Sequence, residues 1–165
     1  MRETGKEADD VDIIYSFKEE KLYIPQDSWE ARAVVPMKTL KNGLRAADNV
    51  ARTIPGELPY DPEPFPLGTW IVSEIRDRKD PYRAPFFIAT SAYRKVRVWK
   101  LDERGRYLCE TDRTAIDQGY GIHYSEHPTT QGCIKVVRKE DLEDLVKRIK
   151  AEWAVDFRVR LLVGE

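Results

Sequence analysis

Apolar and polar positions alternate at strand spacing along much of this chain. Two short apolar runs, at 12–17 and 21–24, flank a charged turn, and this arrangement predicts a β-hairpin. The other strands that the pattern predicts lie at 31–35, 68–72, 84–89, 96–101, 106–109 and 155–163. Roughly eight short strands with few helices favour a mainly β architecture.

A second hairpin is predicted where the strictly alternating run 96–101 is joined to 106–109 by a turn. Cys109 falls on the second strand of this hairpin. A cysteine on a half-buried strand usually serves as a small apolar residue of the core, and we expect that role for Cys109.

Helical spacing occurs in two places. Residues 139–153 carry one apolar stripe, with acidic residues at the start and basic residues near the end, and this pattern predicts a helix. Residues 39–53 show a weaker helical pattern, which Asn42-Gly43 could break. The segment 54–67 then contains five prolines, which predict an ordered surface loop without regular structure. Such a loop is either a plain connector or a wall beside a cleft.

Length and charge narrow the class of protein. A chain of 165 residues is enough for one domain. Lys plus Arg total 28 and Asp plus Glu total 29, so the net charge of -1 gives no electrostatic indication of nucleic-acid binding. No apolar run approaches the roughly 18 residues of a membrane-spanning helix. Residues 1–10 are polar and acidic and show no signal peptide, so we expect a flexible N-terminal tail over 1–10 and a single domain over 11–165.

The run 121–136 concentrates the reactive side chains. The chain has two histidines and two cysteines, and this run holds His123, His127 and Cys133. Frequent glycine and proline predict a structured loop. A thiol becomes a good nucleophile when a nearby imidazole takes its proton, so Cys133 and His123 are the candidate nucleophile and base. The N–H groups of Gly132 and Cys133 could stabilise an oxyanion, and Gly132 leaves room for substrate.

Other interpretations of these residues stay open. Together with Cys109, the run has the ligand types of a zinc site. Against zinc, the chain has no Cys-x-x-Cys pair and Pro128 follows His127. Cys133 could also be an ordinary buried cysteine of a strand, and His127 an exposed residue without a role. A papain-like or NlpC-type peptidase is disfavoured, because those enzymes place the cysteine before the histidine.

The histidine and cysteine motifs resemble a known signature. Ile122-His123 followed by Thr130-Gln131-Gly132-Cys133-Ile134-Lys135 is similar to the signature of the L,D-transpeptidase catalytic domain, the YkuD-like family. That family carries Ile-His, followed downstream by Ser/Thr-His-Gly-Cys-Ile/Val-Arg. Pro66-Leu67-Gly68-Thr69-Trp70 resembles the start of one of its strands. The resemblance covers nearly the whole chain from about Val11, although only the histidine and Gly-Cys motifs are specific.

The chain departs from that signature at several positions. Gln131 stands where the family has histidine, Lys135 where it has arginine, and Phe65 where it has threonine. The histidine-to-cysteine spacing is shorter than in common members and resembles a short-loop subgroup that includes delivered bacterial toxins. The segment 37–65 is longer than the usual connection. These departures concern substrate detail more than the nucleophile and base.

The resemblance implies a β-sandwich of mixed sheets with one main helix after the catalytic cysteine. It also implies acyl transfer on peptidoglycan stem peptides, by L,D-transpeptidation or by L,D-carboxypeptidase hydrolysis. Cys133 would form a thioester acyl-enzyme with His123 as base, and no cofactor would be needed. A periplasmic or extracellular location at the cell envelope would follow. The alternatives are a non-catalytic cell-wall or phage structural module that retains the fold, or the small zinc-binding domain.

The resemblance assigns further site residues. Gly132 and Cys133 would supply the N–H groups of the oxyanion hole. The residues that would line the site or contact substrate are Thr130, Gln131, Lys135, Tyr120 and Tyr124.

Overall fold

The computed structural model describes residues 10–36, 52–53, 59–60, 63–77, 83–101, 103, 107–126, 130 and 132–165. Its strands are β1 (Asp10–Ser16), β2 (Lys21–Ile24), β3 (Trp29–Val34), β4 (Arg52–Thr53), β5 (Pro59–Tyr60), β6 (Gly68–Asp77), β7 (Arg83–Thr90), β8 (Arg94–Leu101), β9 (Tyr107–Asp117), β10 (Gly121–Ser125), β11 (Ile134–Val136) and β12 (Arg158–Gly164). The α-helix α1 spans Lys139–Ala154, and a short 3-10 turn spans Pro25–Asp27. The expected tail lies outside the described residues except for Asp10, which is buried and begins β1.

Eight strands form a closed ring in the order β1-β12-β6-β7-β10-β11-β3-β2. The pairs β1–β12 and β10–β11 are parallel, and the other neighbours in the ring are antiparallel. The mainly β class with mixed sheets and one main helix is therefore confirmed. The two sheets expected of a sandwich are joined at both edges. β3 pairs with β2 on one side and β11 on the other, and β6 pairs with β12 on one side and β7 on the other.

Helix α1 confirms the sequence prediction. Glu140 and Asp141 lie in its first turn, where negative charge is favourable. The apolar stripe faces inward and contacts β7, β10, β11 and β12. Its buried residues are Leu142, Leu145, Val146 and Ile149. Within the described residues, no helix is long and apolar enough to cross a bilayer.

The core consists of the inward-facing residues of the ring and this stripe of α1. Ile88, Ile122 and Ile134 lie side by side on three adjacent strands and are fully buried. Burying a side chain of this size is worth roughly 1.5–3 kcal/mol. The row therefore anchors the neighbouring strands β7, β10 and β11 in one register.

Both predicted hairpins are confirmed, as β1–β2 and β8–β9. The closing strand begins later than the pattern suggested, at Arg158. Its start is delayed because Asp156 adopts a positive φ of 63° in the turn that ends α1. In the same turn the Phe157 N–H donates to the Glu152 carbonyl at 2.9 Å.

Three local predictions were wrong. The proline-rich segment contains a short strand, since Pro59–Tyr60 pairs with Arg52–Thr53. The run with the candidate histidine is strand rather than loop at its two ends, where β10 and β11 join the ring. Cys109 is exposed rather than a core residue, because β8 and β9 form a separate two-stranded sheet. The predicted helix over 39–53 lies outside the described residues, apart from β4.

Candidate active site

Strands β10 and β11 bring His123 and Cys133 to neighbouring positions. β10 carries His123, and Cys133 immediately precedes β11. The two strands are parallel, with Ile122 opposite Ile134 and His123 opposite Lys135. Because parallel strands run in the same direction, the chain between them doubles back. Cys133 therefore arrives beside the start of β10.

The thiol and the imidazole share one face of this strand pair. Exposure alternates through 132–136, where Cys133 and Lys135 are partly exposed and their neighbours are buried. Successive side chains of an extended strand point to opposite faces, so Cys133 and Lys135 lie on the same face. His123 is paired with Lys135 and is also partly exposed, although its Nδ1 atom is buried. Adjacent strands lie about 4.8 Å apart, a spacing that allows contact between such side chains.

Phe87 supports the imidazole from the neighbouring strand β7. It pairs with His123, and the two rings stack at a centroid distance of 6.0 Å and an interplanar angle of 27°. The Phe87 ring also lies over Gly121, where an added Cβ would come within 2.4 Å of Cζ. Only a residue without a side chain leaves this space, so Gly121 allows the stacking that orients His123.

The Cys133 thiol has a backbone hydrogen-bond partner, and hydrogen bonds from Thr130 hold the backbone around Cys133. Its Sγ donates to the Gly119 carbonyl at 3.6 Å, and the cysteine is a free thiol. The Thr130 hydroxyl donates to the Cys133 carbonyl at 2.9 Å and accepts the Gly132 N–H at 3.3 Å. Thr130 itself is held by its N–H, which donates to the Pro36 carbonyl. These bonds hold the segment before β11 in one conformation.

Position 132 requires glycine because of its backbone conformation and because of the atoms packed around it. Its φ is +110°, a region that residues with a side chain rarely adopt. An added Cβ would lie 2.3 Å from the Glu63 carbonyl oxygen and 2.7 Å from Tyr120 Cε1. The end of the proline-rich segment therefore packs directly behind the nucleophile. In this structure the Gly132 N–H donates to Thr130, and the predicted oxyanion role requires it to leave that hydroxyl.

The remaining predicted residues occupy different environments. The Tyr120 side chain is fully buried, and its hydroxyl donates to the Asp117 carboxylate at 3.0 Å, so it supports Gly132 from behind. Tyr124 is partly buried against the core. Lys135 lies on the same face as the thiol. Gln131 lies outside the described residues.

An open cleft of about 250 Å³ borders the site. It lies between β6, β7 and the segments that follow β7 and β9. Its lining includes Gly119, whose carbonyl accepts from the Cys133 thiol, and Phe87, whose ring stacks on His123. His123 and Cys133 do not line the cleft themselves, but one contact residue of each does.

The described residues provide no evidence for the zinc alternative. Among them, no group of three His, Cys, Asp or Glu side chains is placed to hold a metal ion. Cys109 and Cys133 are both free thiols. His127, which the zinc interpretation also uses, lies outside the described part of the chain.

Sequence reasoning missed Phe87, Gly119 and Arg76. Phe87 stacks on His123, Gly119 accepts from the Cys133 thiol, and Arg76 lies across the strand pair from Phe87. Phe87 was placed correctly on a strand, but its contact with His123 depends on which residues of β7 and β10 face each other. Gly119 interacts through its carbonyl, which every residue possesses. The one usable signal was the pair of glycines before His123, which marks a close approach of backbone.

Comparisons with known proteins give a structural likeness at low sequence identity. No family profile matches the sequence, and no curated protein matches it. Among solved structures, the chain is similar to the L,D-transpeptidase from Xylanimonas cellulosilytica, with 14% identity and a TM-score of 0.46. The match covers 99% of this chain and 64% of that one, so the chain spans less than two thirds of that structure. No residue role follows from a likeness at this level.

Proposed function

We propose that this chain is a cysteine acyltransferase or peptidase that acts on peptidoglycan stem peptides. The observation that supports the proposal is the parallel register of β10 and β11, in which His123 is opposite Lys135 and Cys133 immediately precedes β11. The substrate class is proposed from the resemblance of the motif around these two residues to the L,D-transpeptidase signature. We propose the cell envelope as the location, because peptidoglycan is found there.

The reaction begins with transfer of the thiol proton to the His123 imidazole. The Cys133 sulfur then attacks the carbonyl carbon that joins an L-centre to a D-residue in the stem peptide. The tetrahedral oxyanion collapses, the C–N bond breaks, and the imidazolium protonates the departing amine. A thioester remains on Cys133. A second stem's amine, or water, gives a proton to His123 and attacks the thioester, which releases the thiol.

Neighbouring groups support each step. The Lys135 ammonium on the same face stabilises a thiolate by its positive charge. The backbone N–H groups of Gly132 and Cys133 are the proposed oxyanion donors, with Thr130 releasing the first of them when substrate binds. The stacked Phe87 ring keeps the imidazole from rotating away from the sulfur. Gln131 and Tyr124 are the proposed additional contacts for the peptide.

The two cysteines allow a matched test of the nucleophile. Cys133→Ala should lower turnover of a disaccharide-tetrapeptide by roughly 10³-fold or more, since a missing nucleophile has effects of that order. Cys109→Ala should leave turnover unchanged, because Cys109 is exposed on the separate β8–β9 sheet. Mass spectrometry of the products distinguishes crosslinked dimer, shortened stem and no reaction. Turnover retained by the folded Cys133→Ala protein would rule out the mechanism.

The two histidines allow the same test of the base. His123→Gln should lower kcat strongly and remove the rise of the rate with pH that deprotonation of the base produces. His127→Gln should change the rate little. The opposite result, with the larger loss in His127→Gln, would mean that the base is assigned to the wrong histidine.

A further inference from the structure

The cleft beside the candidate site has a polar lining with one distinctive charge. Besides Phe87 and Tyr93, it is lined mainly by hydroxyl, amide and backbone groups. Arg76 is the one charged residue among the described residues of this lining. Glu74 partly balances the charge of Arg76, but the guanidinium still favours an anionic group of the ligand over a cationic one.

Arg76 lines the cleft, with about half of its side chain exposed, and it has two side-chain contacts. Its guanidinium carbon lies 5.8 Å from the centre of the Phe87 ring, directly across the β6–β7 pair. Its Nε donates to Glu74 Oε1 at 2.6 Å. The two contacts fix one edge of the guanidinium, and within the described residues its two Nη groups have no partner. An arginine held in this way is preorganised to bind a carboxylate through two parallel hydrogen bonds.

The register places Arg76 at a defined distance from the chemistry. Arg76, Phe87 and His123 are opposite one another on β6, β7 and β10. Arg76 is therefore two strands from His123, roughly 10 Å along the sheet. The Arg76 side chain and its hydrogen bonds to the ligand span part of this separation. A carboxylate one to three residues from the attacked carbonyl, at ~3.4 Å per residue, can therefore reach the guanidinium.

We propose that Arg76 is a specificity-determining residue that binds a carboxylate of the peptide whose carbonyl Cys133 attacks. This proposal rests on the proposed function. It names the chemical group of the acyl-donor peptide that the site selects. Either the C-terminal carboxylate of the stem or a side-chain carboxylate supplies the group, and the two share one recognition chemistry. Glu74 keeps the guanidinium oriented in the free protein and leaves its outer edge to the ligand.

Binding measurements in the Cys133→Ala background test the subsite without any need for turnover. Three synthetic tetrapeptide stems serve as probes: the free acid, its C-terminal amide and its side-chain amide. By isothermal titration, the free acid should bind at least about tenfold more tightly than one of the amides, as expected for a charge-assisted pair. The amide with the larger loss identifies which carboxylate Arg76 recognises.

The matched variants are Arg76→Gln and Arg97→Gln. Arg76→Gln should abolish the preference for the acid while leaving the affinity for the weaker amide unchanged. Arg97→Gln removes an exposed arginine of the β8–β9 sheet and should retain the preference. Equal binding of all three peptides, an equal loss for all three in Arg76→Gln, or no binding of any peptide overturns the proposal.

Turnover by the chain with Cys133 intact separates this proposal from the function it rests on. A protein that prefers the acid through Arg76 but turns over no peptide refutes acyl transfer and keeps the carboxylate subsite. A protein that turns over acid and amides with equal kcat/KM keeps acyl transfer and refutes the subsite. With both proposals correct, Arg76→Gln should raise KM for the acid and leave kcat nearly unchanged.

Discussion

The ring contains two parallel strand pairs that differ in length and in what they carry. β1 and β12 pair along their whole length, from Asp10 opposite Arg158 to Ser16 opposite Gly164. β10 and β11 pair at only two positions. The long pair joins the first and last strands of the domain, and the short pair carries the candidate nucleophile and base.

The long pair is stabilised on both of its faces. Its inward residues, such as Ile13 and Leu161, are fully buried. On the other face, the Asp10 carboxylate accepts two hydrogen bonds from the Arg158 guanidinium, at 2.9 and 3.1 Å. A register slip by one residue would exchange the two faces, so the apolar core and the ion pairs both oppose it.

The short pair has a buried face, and its ladder among the described residues is two residue pairs long. Ile122 and Ile134 are buried, whereas His123 lies opposite Lys135. Its register is held from outside, by antiparallel pairing of β10 with β7 and of β11 with β3. The comparison teaches that the candidate reactive groups lie on a strand pair whose register depends on its neighbours.

Gly132→Ala should have the largest effect and should act on the short pair. The new Cβ would clash with the Glu63 carbonyl, and the φ of +110° would be strained, at a cost of roughly 1–3 kcal/mol. Displacement of Cys133 should lower kcat/KM by roughly 100-fold. Steady-state kinetics and urea unfolding measure the two effects.

Gly164→Ala, at the end of the long pair, is the matched control. No atom lies within 4 Å of its added Cβ, so both quantities should stay near those of the wild type. Equal losses of kcat/KM and of unfolding free energy in the two glycine variants would contradict the difference between the two strand pairs. The effect would then be a general cost of replacing glycine.

Asp10→Asn should have the next largest effect and should act on the long pair. The Asp10 side chain is 1% exposed, and its loss of charge leaves two arginines less well paired. The free energy of unfolding should fall by roughly 1–3 kcal/mol, less than for a fully buried pair because Arg158 is half exposed. The kcat/KM of the folded enzyme should be unchanged.

Asp112→Asn provides the control for this substitution. Asp112 is fully exposed and lies 3.9 Å from Arg97, so its loss should not change stability measurably. A large fall of kcat/KM in Asp10→Asn would show that the two strand pairs are coupled rather than separate.

Tyr15→Phe should have the smallest effect. It measures what one buried hydroxyl of β1 contributes to the stability of the long pair. The Tyr15 hydroxyl is buried and donates to the Ala33 carbonyl at 3.1 Å. Burial, with a smaller contribution from the charge of Glu20, raises the pKa of Tyr15 from 10.0 to about 12. The substitution should lower the free energy of unfolding by about 1 kcal/mol at pH 7.

The same residue predicts a dependence on alkaline pH. Because its pKa is higher in the folded state, the folded protein binds the proton more tightly. The contribution of Tyr15 to stability is therefore complete below pH 10 and is lost as the pH rises from 10 towards 12. Urea unfolding from pH 9 to 12 should show a fall in the wild type that is smaller in Tyr15→Phe. Identical slopes would contradict the assignment.

Local pattern was sufficient for the elements whose partners lie nearby in sequence. The β1–β2 hairpin, the β8–β9 hairpin and helix α1 follow from alternation, turn residues and an apolar stripe. Local pattern failed for Cys109, because exposure depends on what covers a strand. It failed also for His123, because frequent glycines in 119–121 resemble a loop when the neighbouring strands are unknown.

The sequence by itself determined the class of fold and indicated the candidate pair of reactive side chains, since periodicity and residue type are local properties. Only the tertiary structure decided that β10 and β11 are parallel neighbours, that Phe87 stacks on His123, and that Arg76 lies in the adjoining cleft. The stacking of Phe87 on His123 joins β7 and β10, which are not consecutive in the chain. Their register follows from burial of the whole core, which no single segment specifies.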